Sequence, residues 1–547
     1  MTPFNAILKG LNEPQSLAVR TIDGPLLIFA GAGSGKTRVL TRRIAYILAQ
    51  QKTRPDRILA VTFTNKAAKE MLERLELLLG SQVKQLNVGT FHSINARILR
   101  REAKNLEIDP NFTIFDTQDT RAIVKEAINA CNYDPEQVKP ASAQHLISSW
   151  KQKRYTPPMA KDESASNIIE EKYAHVYEAY EALLKKNHSF DFDDLLLKPL
   201  EYFEQRPAFL KKYQYRFDYL LVDEYQDTNL LQFQFVHYLS GLHQNICVVG
   251  DDDQSIYGWR GADIRNILQF ESAFPGAKVI KLEQNYRSTK TILAAAAAVV
   301  DNNLNRREKK IWSDSPQGDK INLTQLHDGR AEASYIATEI QKQIAVGYQN
   351  SDIAILYRTN AQSRQLEEAL RDRLIRYTIV GGTRFYERKE IKDLLAYLNL
   401  LVNPDNDLGL KRIINVPARK IGATSIEKME DFAKKTQRSL WLSLQYPQEA
   451  GLKAQAANAV RQFNELIRYF HSLLNDLPAP ELVRLLIEKS GLISQYSADA
   501  KDRENQERID NIEEFVSGVE QFVAENEGAT LTDYLQNVAL LTDVDQW

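Results

Sequence analysis

A glycine-rich loop between an apolar run and a helical run is the feature that most constrains how this chain can fold. The apolar run Pro25–Ala30 is typical of a buried parallel strand, and Gly31-Ala-Gly-Ser-Gly-Lys-Thr37 follows it directly. Apolar residues at helical spacing then extend from Val39 to Leu48. A strand, such a loop and a helix in this order make a phosphate-binding P-loop. The sequence therefore predicts an α/β fold of the P-loop NTPase class with parallel sheets.

The P-loop predicts a site for a nucleoside triphosphate and Mg²⁺. Glycines let backbone N–H groups turn toward phosphate oxygens, and the helix N-terminus adds partial positive charge. Lys36 would bridge the outer phosphates, and the Thr37 hydroxyl would ligate Mg²⁺. The predicted nucleotide-binding residues of this loop are Ala30, Gly31, Ala32, Gly33, Ser34, Gly35, Lys36, Thr37 and Arg38.

Two later strand-like runs end in polar side chains that a P-loop enzyme needs. Asp223 and Glu224 follow the run Tyr219–Val222, where Asp223 would hold Mg²⁺ and Glu224 would act as general base. Gln254 lies just past the run Asn245–Val249 and would sense the terminal phosphate. An isolated Asp-Glu pair is common on protein surfaces. Its position after an apolar strand, in a chain that has a P-loop, favours a catalytic role.

Aromatic residues beside glycines predict a surface for unpaired bases. Tyr257, Trp259 and Arg260 lie next to Gly258 and Gly261, and each stacked base would contribute about 1–3 kcal/mol. The alternative is that both rings belong to the core. Further candidates for the same DNA-binding face are Phe63, Thr64, Asn65, Thr90, His92 and Phe192. For His92 the alternative is a purely local hydrogen bond.

Residues near 286 lie at the join between two α/β patterns. Arg287 would reach the γ-phosphate from the second pattern, so that hydrolysis depends on closure of the cleft, and Tyr286 would stack on the base. The alternative for Arg287 is an ordinary ion pair. The basic run Arg306–Lys310 is predicted to be a solvated helix end, and the alternative is a contact with phosphate.

The strand and helix patterns divide the chain into alternating segments. Strands alternate with helices up to about residue 106, and residues 107–189 then read as helices alone, which predicts a helical insertion. A second α/β pattern follows Asn285, and the chain becomes helical again beyond Gly382. The candidate strands of the second pattern are Ile321–Gln325, Asp352–Leu356 and Tyr377–Val380.

Composition excludes several classes of protein. The 70 Lys and Arg residues nearly cancel the 72 Asp and Glu residues, so the net charge is −2 and a basic nucleic-acid coat is excluded. Two cysteines, Cys131 and Cys247, exclude a disulfide scaffold, and the scattered histidines predict no structural metal. The absence of an 18-residue apolar run predicts a soluble, cytoplasmic protein without a membrane partner.

Together these segments resemble the UvrD/PcrA/Rep branch of the superfamily 1 DNA helicases. Leu11–Val19 resembles the Q motif of that family, in which Gln15 would read the adenine edge. Ile355–Asn360 resembles a segment that touches the DNA backbone, with Arg358 and Asn360 as its candidates. The other matching segments, in family order, are AGAGSGKT, TFTNKAA, VGTFHS, FDFDDLL, VDEYQDTN, VGDDDQSIYGWRGA and LEQNYRS.

The resemblance implies an ATP-driven helicase that moves 3′ to 5′ on single-stranded DNA. Its substrates would be single strands and single/double-strand junctions, and its partners would be repair or replication proteins. It also implies four subdomains. These are a RecA-like lobe 1A at 1–108 and 191–283, a helical domain 1B at 109–190, a RecA-like lobe 2A at 284–380 and a helical domain 2B at 381–547.

Two departures from the family pattern bear on activity. Lys420 replaces the first glycine of a Gly-Ile-Gly segment that contacts duplex DNA in the family. The chain also stops at Trp547, before the family motifs that carry a second arginine finger, so we expect a truncated form with impaired turnover. The alternative is an ATP-regulated module that binds single-stranded DNA without unwinding. A recombination-type motor with a nuclease module and a P-loop kinase or GTPase fit the motifs less well.

Overall fold

The computed structural model describes residues 4–303, 306–359, 362–379, 385–497 and 503–544. Within these residues it has eight strands in two parallel sheets, one with the order β3-β2-β6-β7-β1-β8 and one formed by β4 and β5. The strands are β1 (Leu26–Ala30), β2 (Ile58–Thr62), β3 (Asn87–Thr90), β4 (Thr113–Ile114), β5 (Ser189–Phe190), β6 (Tyr219–Val222), β7 (Ile246–Gly250) and β8 (Lys278–Leu282).

The six-stranded sheet confirms the predicted α/β fold. Its inner strands β1, β2, β6 and β7 are buried along their whole length, because helices cover both faces, and this is why they read as continuous apolar runs. The helices of this unit are α1 (Phe4–Leu8), α2 (Glu13–Arg20), α3 (Lys36–Ala49), α4 (Asn65–Leu79) and α5 (Phe91–Leu106), and then, after an insertion, α10 (Phe192–Gln205), α11 (Pro207–Arg216), α12 (Leu230–Ser240), α13 (Arg265–Leu268) and α14 (Phe270–Ala273).

The predicted helical insertion is present between the two short strands β4 and β5. These strands pair in parallel, Thr113 with Ser189 and Ile114 with Phe190, so the chain leaves and rejoins the sheet unit at one point. The insertion has its own apolar core, which includes Trp150. Its helices are α6 (Thr117–Ala130), α7 (Pro140–Gln152), α8 (Pro157–Glu163) and α9 (Ile168–Lys186).

The chain beyond β8 is mainly helical. One large apolar core joins the helices from residue 389 onward. None of the helices in the described ranges is both long enough and apolar enough to span a bilayer. The helices are α15 (Lys290–Val300), α16 (Gly329–Ala345), α17 (Ser363–Asp372), α18 (Lys389–Val402), α19 (Asp407–Ile413), α20 (Ala423–Thr436), α21 (Leu440–Ser443), α22 (Ala454–Leu473), α23 (Ala479–Ser490), α24 (Ser494–Ser497), α25 (Arg503–Glu525) and α26 (Leu531–Val544).

The three predicted strands of the second α/β pattern are wrong for the residues that the structure describes. Residues 321–325, 353–356 and 377–379 have no strand assignment, and position 380 lies outside the described ranges. A strand is stable only when a neighbouring strand pairs with it. Here Leu323 and Leu356 are 98% and 93% exposed instead of buried in a sheet. Helices α16 and α17 lie between these runs.

Candidate active site

The P-loop connects β1 to α3 at the carboxyl edge of the six-stranded sheet. Gly33 and Gly35 have φ values of 65° and 87°, in the left-handed region that a side chain rarely adopts. The loop can therefore turn sharply between strand and helix and bring Lys36 to the first position of α3. This edge is where parallel sheets hold their ligands.

Three successive carbonyls of the P-loop accept hydrogen bonds from residues outside the loop. The side-chain amide of Asn285 donates to the Ala32 carbonyl at 2.6 Å, and the backbone N–H of Tyr286 donates to the Gly33 carbonyl at 3.0 Å. The Gln15 amide donates to the Ser34 carbonyl at 2.9 Å. A trans peptide points its carbonyl and the next N–H in opposite directions. The N–H groups of residues 33 and 35 are therefore turned away from these partners, as a phosphate cradle requires.

Lys36, Glu224 and Gln254 converge beside the P-loop, as predicted. The Lys36 ammonium lies 2.8 Å from a Glu224 carboxylate oxygen and 3.4 Å from the side-chain oxygen of Gln254. Lys36 is 10% exposed and Glu224 is 34% exposed. The lysine thus uses the glutamate as its counter-ion in this structure, so a phosphate in the P-loop would compete with that carboxylate for the ammonium.

Asp223 and Thr37 form the predicted oxygen pair for a metal. The Thr37 hydroxyl lies 3.4 Å from one carboxylate oxygen of Asp223, and the Glu224 backbone N–H donates to the other at 3.0 Å. Burial and the neighbouring Glu224 charge raise the pKa of Asp223 to about 6. A carboxylate and a hydroxyl are suitable ligands for Mg²⁺, so these residues fit that ion.

Gln15 and Tyr286 form one wall of the pocket, although their contacts differ from those predicted. Gln15 is buried, since its oxygen accepts from the Asn12 backbone N–H while its amide holds the P-loop. Its side chain is therefore used by the protein, and reading of an adenine edge stays a prediction. The Tyr286 ring is 50% exposed, and its hydroxyl accepts from the Asn12 side chain at 2.9 Å and donates to Gln284 at 2.7 Å.

Arg287 lies next to the P-loop, and Arg38 lies one helical position past Thr37. A Cβ atom placed on Gly33 would be 2.8 Å from the Arg287 Cβ, so the two backbones are close. The Arg287 side chain is exposed and Arg38 is half-buried. Arg287 is therefore positioned at the edge of the pocket, and its contact with a terminal phosphate stays a prediction.

An aromatic cleft of about 590 Å³ opens at the same edge of the sheet, beyond Gln254. The rings of Phe63 and Tyr257 stack with their centroids 5.0 Å apart. The Arg260 guanidinium lies 5.1 Å from the ring centres of both Tyr257 and Trp259. Trp259 is 61% exposed. The alternative that these rings belong to the core is wrong for Trp259, which is largely exposed to solvent.

His92 and Phe192 line the same cleft on the side of α5 and α10. Their rings meet edge to face at 5.6 Å. Burial, with a smaller contribution from Arg260, lowers the pKa of His92 to about 4. The imidazole is therefore neutral at physiological pH. Its contact with DNA would be a hydrogen bond or a ring contact and not an ion pair with phosphate.

Thr64 and Thr90, which were predicted to contact DNA, are N-caps of helices in the structure. The Thr64 hydroxyl accepts from the Ala67 N–H at 3.0 Å, and the Thr90 hydroxyl accepts from the Ser93 N–H at 3.2 Å. Thr90 is only 1% exposed, and its contact with DNA stays a prediction. Asn65 is half-buried and donates from its side chain to the Leu540 carbonyl of α26 at 3.1 Å.

Comparison with known proteins assigns nearly the whole chain. Residues 11–275 match the UvrD/REP helicase N-terminal domain, and residues 280–546 match the UvrD-like helicase C-terminal domain. The chain belongs to the UvrD/REP helicase family. The predicted family and the predicted enzyme class, a helicase, are thereby confirmed.

Individual relatives in the UvrD/REP family agree with this assignment. The chain is 46% identical over 543 residues to the ATP-dependent DNA helicase PcrA of Bacillus subtilis, and the alignment covers 99% of this chain and 73% of that protein. It is 45% identical over 546 residues to the PcrA protein of Staphylococcus epidermidis, with 99% and 74% covered.

The candidate DNA-contact residues outside the six-stranded sheet unit have no described contact with the nucleotide site or the aromatic cleft. Arg358 is exposed and is not among the described residues that line the aromatic cleft, and Asn360 lies outside the described residues. Lys420, which replaces a glycine of the family pattern, has a φ of 63°. The backbone there keeps the left-handed turn that glycine favours, although the side chain is a lysine.

Two further side chains support the site but escaped the sequence reasoning. Gln226 is buried and donates to a Glu224 carboxylate oxygen at 2.9 Å, while its own oxygen accepts from the Asp251 N–H at 3.0 Å. Asn12 caps α2 and contacts Tyr286. The signal for Asn12 was present, because an asparagine three residues before a glutamine predicts a capping box. Gln226 gave no comparable signal.

Proposed function

We propose that this chain is an ATP-dependent DNA helicase that moves 3′ to 5′ along single-stranded DNA. One observation carries the proposal. The loop after β7 begins in the nucleotide pocket, where Gln254 lies 3.4 Å from Lys36, and continues to the cleft, where Tyr257 stacks on Phe63. A change at the terminal phosphate can therefore move an aromatic platform for bases. The PcrA relatives are ATP-dependent DNA helicases by name, which supports ATP and DNA as the ligands of this chain.

The catalytic roles follow from the geometry of the pocket. Lys36 would exchange Glu224 for the outer phosphates of ATP, and the released carboxylate would accept a proton from the attacking water. Gln254 would contact the terminal phosphate, and Arg287 would stabilise its developing charge. Asp223 and Thr37 would hold Mg²⁺, which neutralises phosphate charge when it is bound.

We also propose the subdomain layout and partners that the resemblance implies. Lobe 1A would comprise 1–108 and 191–283, domain 1B would comprise 109–190, lobe 2A would comprise 284–380 and domain 2B would comprise 381–547. Single/double-strand junctions would be the substrate, repair or replication proteins would be the partners, and the cytoplasm would be the location.

A second candidate function is ATP-regulated binding to single-stranded DNA without unwinding. The run 321–325, which is exposed along its whole length, favours it, because a motor needs a second rigid lobe against which the first can close. Both candidates share the nucleotide pocket and the aromatic cleft.

Duplexes with a single-stranded tail at either the 3′ or the 5′ end separate the two functions. We expect ATP hydrolysis stimulated by single-stranded DNA, and strand separation only from the 3′-tailed duplex. Lys36→Ala should abolish both activities, because it removes the phosphate-binding cation. Nucleotide-dependent DNA affinity without strand separation would support the second candidate, and unwinding from the 5′ tail would refute the direction.

A further inference from the structure

A short segment after α15 runs across the carboxyl edge of the six-stranded sheet. We call residues 306–313 the strap. The strap pairs with the end of β8, since the Trp312 N–H donates to the Glu283 carbonyl at 3.0 Å and the Asn285 N–H donates to the Trp312 carbonyl at 2.8 Å. Ile311 lies so close to Gly31 that a side chain at this glycine would collide with it. The predicted solvated helix end is therefore wrong, because this segment packs on the P-loop.

Lys309 of the strap enters a pocket of three carboxylates. Its ammonium pairs with Asp251 and Asp252 and lies 2.8 Å from Asp253. The lysine side chain is 2% exposed, and the Phe29 ring centre lies 5.0 Å from its nitrogen. Burial works against this charge, but the carboxylates raise the pKa of Lys309 above its usual value.

The carboxylates depend on this lysine. Oxygen atoms of Asp251, Asp252 and Asp253 lie within 4.8 Å of one another, a spacing that would suit a metal ion. Arg306 reaches only Asp253, at 3.1 Å. Without the Lys309 charge, like charges at this spacing would repel one another strongly in a buried site, and they would have to separate or bind protons.

One of these carboxylates, that of Asp251, also holds Gln254, the residue proposed above to contact the terminal phosphate. One oxygen of Asp251 pairs with Lys309, and the other accepts from the Gln254 side-chain amide at 2.6 Å. The Gln254 oxygen in turn lies 3.4 Å from Lys36. A continuous series of contacts therefore joins the strap to the P-loop lysine, and each contact restricts the next side chain.

We propose that Lys309 is a positioning residue for ATP hydrolysis, which fixes the loop 251–261 so that Gln254 faces the terminal phosphate. The inference rests on the proposed function, because Gln254 is given a role in hydrolysis there. Lys309 is enclosed by the three carboxylates and Phe29, so it would act through Asp251 and not by contact with a ligand. Loss of the positive charge should leave the nucleotide pocket intact but misplace Gln254.

The kinetic test compares Lys309→Met with Lys310→Met in the full chain. Lys310 is the adjacent, exposed lysine, so its variant carries the same chemical change outside the carboxylate pocket. We expect K309M to lower the kcat of DNA-stimulated ATP hydrolysis by about 10- to 100-fold, while the KM for ATP changes by less than about threefold. K310M should match the wild type. Equal kcat values for the two variants would overturn the proposal.

A second substitution that restores the charge balance tests whether K309M misplaces Gln254 or only impairs folding. Asp252→Asn removes one of the repelling carboxylates, and the amide oxygen can still accept from the Arg307 N–H, which lies 2.7 Å from Asp252. The double variant K309M/D252N should therefore recover at least about threefold in kcat over K309M. A double variant no faster than K309M would overturn the electrostatic argument.

Hydrogen exchange tests the same inference without turnover. The backbone amides of residues 251–261 should exchange faster in K309M than in the wild type, and K310M should leave them unchanged. If the wild type fails to hydrolyse ATP, the proposed function fails, and the exchange result alone then decides whether Lys309 fixes the loop. Unchanged exchange in K309M would refute the inference.

Discussion

Glu224→Gln should make nucleotide bind more tightly, in addition to removing hydrolysis. In the structure Lys36 is paired with Glu224 at 2.8 Å, and a phosphate bound in the P-loop would contact the same ammonium. The carboxylate therefore competes with the nucleotide for the same cation. A glutamine competes less, because it carries no charge. Hydrolysis should fall by about 10²–10⁴-fold, since the amide cannot accept the proton of the attacking water.

The size of the gain in affinity follows from the exposure of the pair. A hydrogen bond between charged groups contributes about 1.5–3 kcal/mol when shielded from water and about 0–1 kcal/mol when exposed. Lys36 is 10% exposed and Glu224 is 34% exposed, so an intermediate contribution of about 1 kcal/mol is expected. This corresponds to roughly fivefold tighter binding.

The assay is a titration with fluorescent ADP. Mg²⁺ is omitted so that Glu224 cannot affect ADP binding through a metal-bound water. Asp227→Asn is the matched control, because it removes a nearby carboxylate that accepts a hydrogen bond from Gln226 and, among the described residues, makes no hydrogen bond or ion pair with Lys36. Its affinity should stay within about twofold of the wild type, and added salt should shrink the Glu224→Gln gain. Equal or weaker binding of ADP by Glu224→Gln would refute the idea that the two compete.

Three further changes test other parts of the structure. Trp259→Ala should weaken single-strand affinity by roughly 5- to 150-fold, measured by fluorescence anisotropy, with ATP affinity unchanged, because only base stacking is lost. Lys151→Met should lower the free energy of unfolding by about 3–5 kcal/mol in urea titrations, since it strands buried Asp191 and Asp194, whereas exposed Lys153→Met should not. The folded pKa of His92, about 4, lies below its unfolded value of about 6.5, so its stabilisation is present above pH 6.5 and is lost as the pH falls. Between pH 7 and pH 5 the wild type should lose about 2 kcal/mol that His92→Gln does not lose.

The sheet unit could be predicted because its signals are local. Strands β1, β6 and β7 begin within one residue of the apolar runs that predicted them, since a strand buried on both faces must be apolar throughout. The P-loop and its partners also follow from chain order, because the ends of parallel strands meet at one edge. Lys36, Glu224 and Gln254 converge there as expected.

The predictions that were wrong concern segments whose structure depends on residues distant in the sequence. The apolar alternation at 321–325 is equally compatible with a paired strand and with an exposed extended segment, and only a pairing partner decides between them. Likewise a run of lysine and arginine reads as a solvated surface until three carboxylates more than fifty residues away are placed around Lys309.

The neighbouring strands β1 and β8 give the nucleotide pocket a direct mechanical link to the rest of the chain. Ala30 is in register with Leu282, and the Gly31 N–H donates to the Leu282 carbonyl at 3.0 Å. The phosphate loop and the outgoing polypeptide thus leave the same pair of strands side by side. A force that shifts the loop upon triphosphate cleavage would therefore be transmitted as tension along β8. Only one hydrogen bond, from Gly31 to Leu282, separates the loop from that strand.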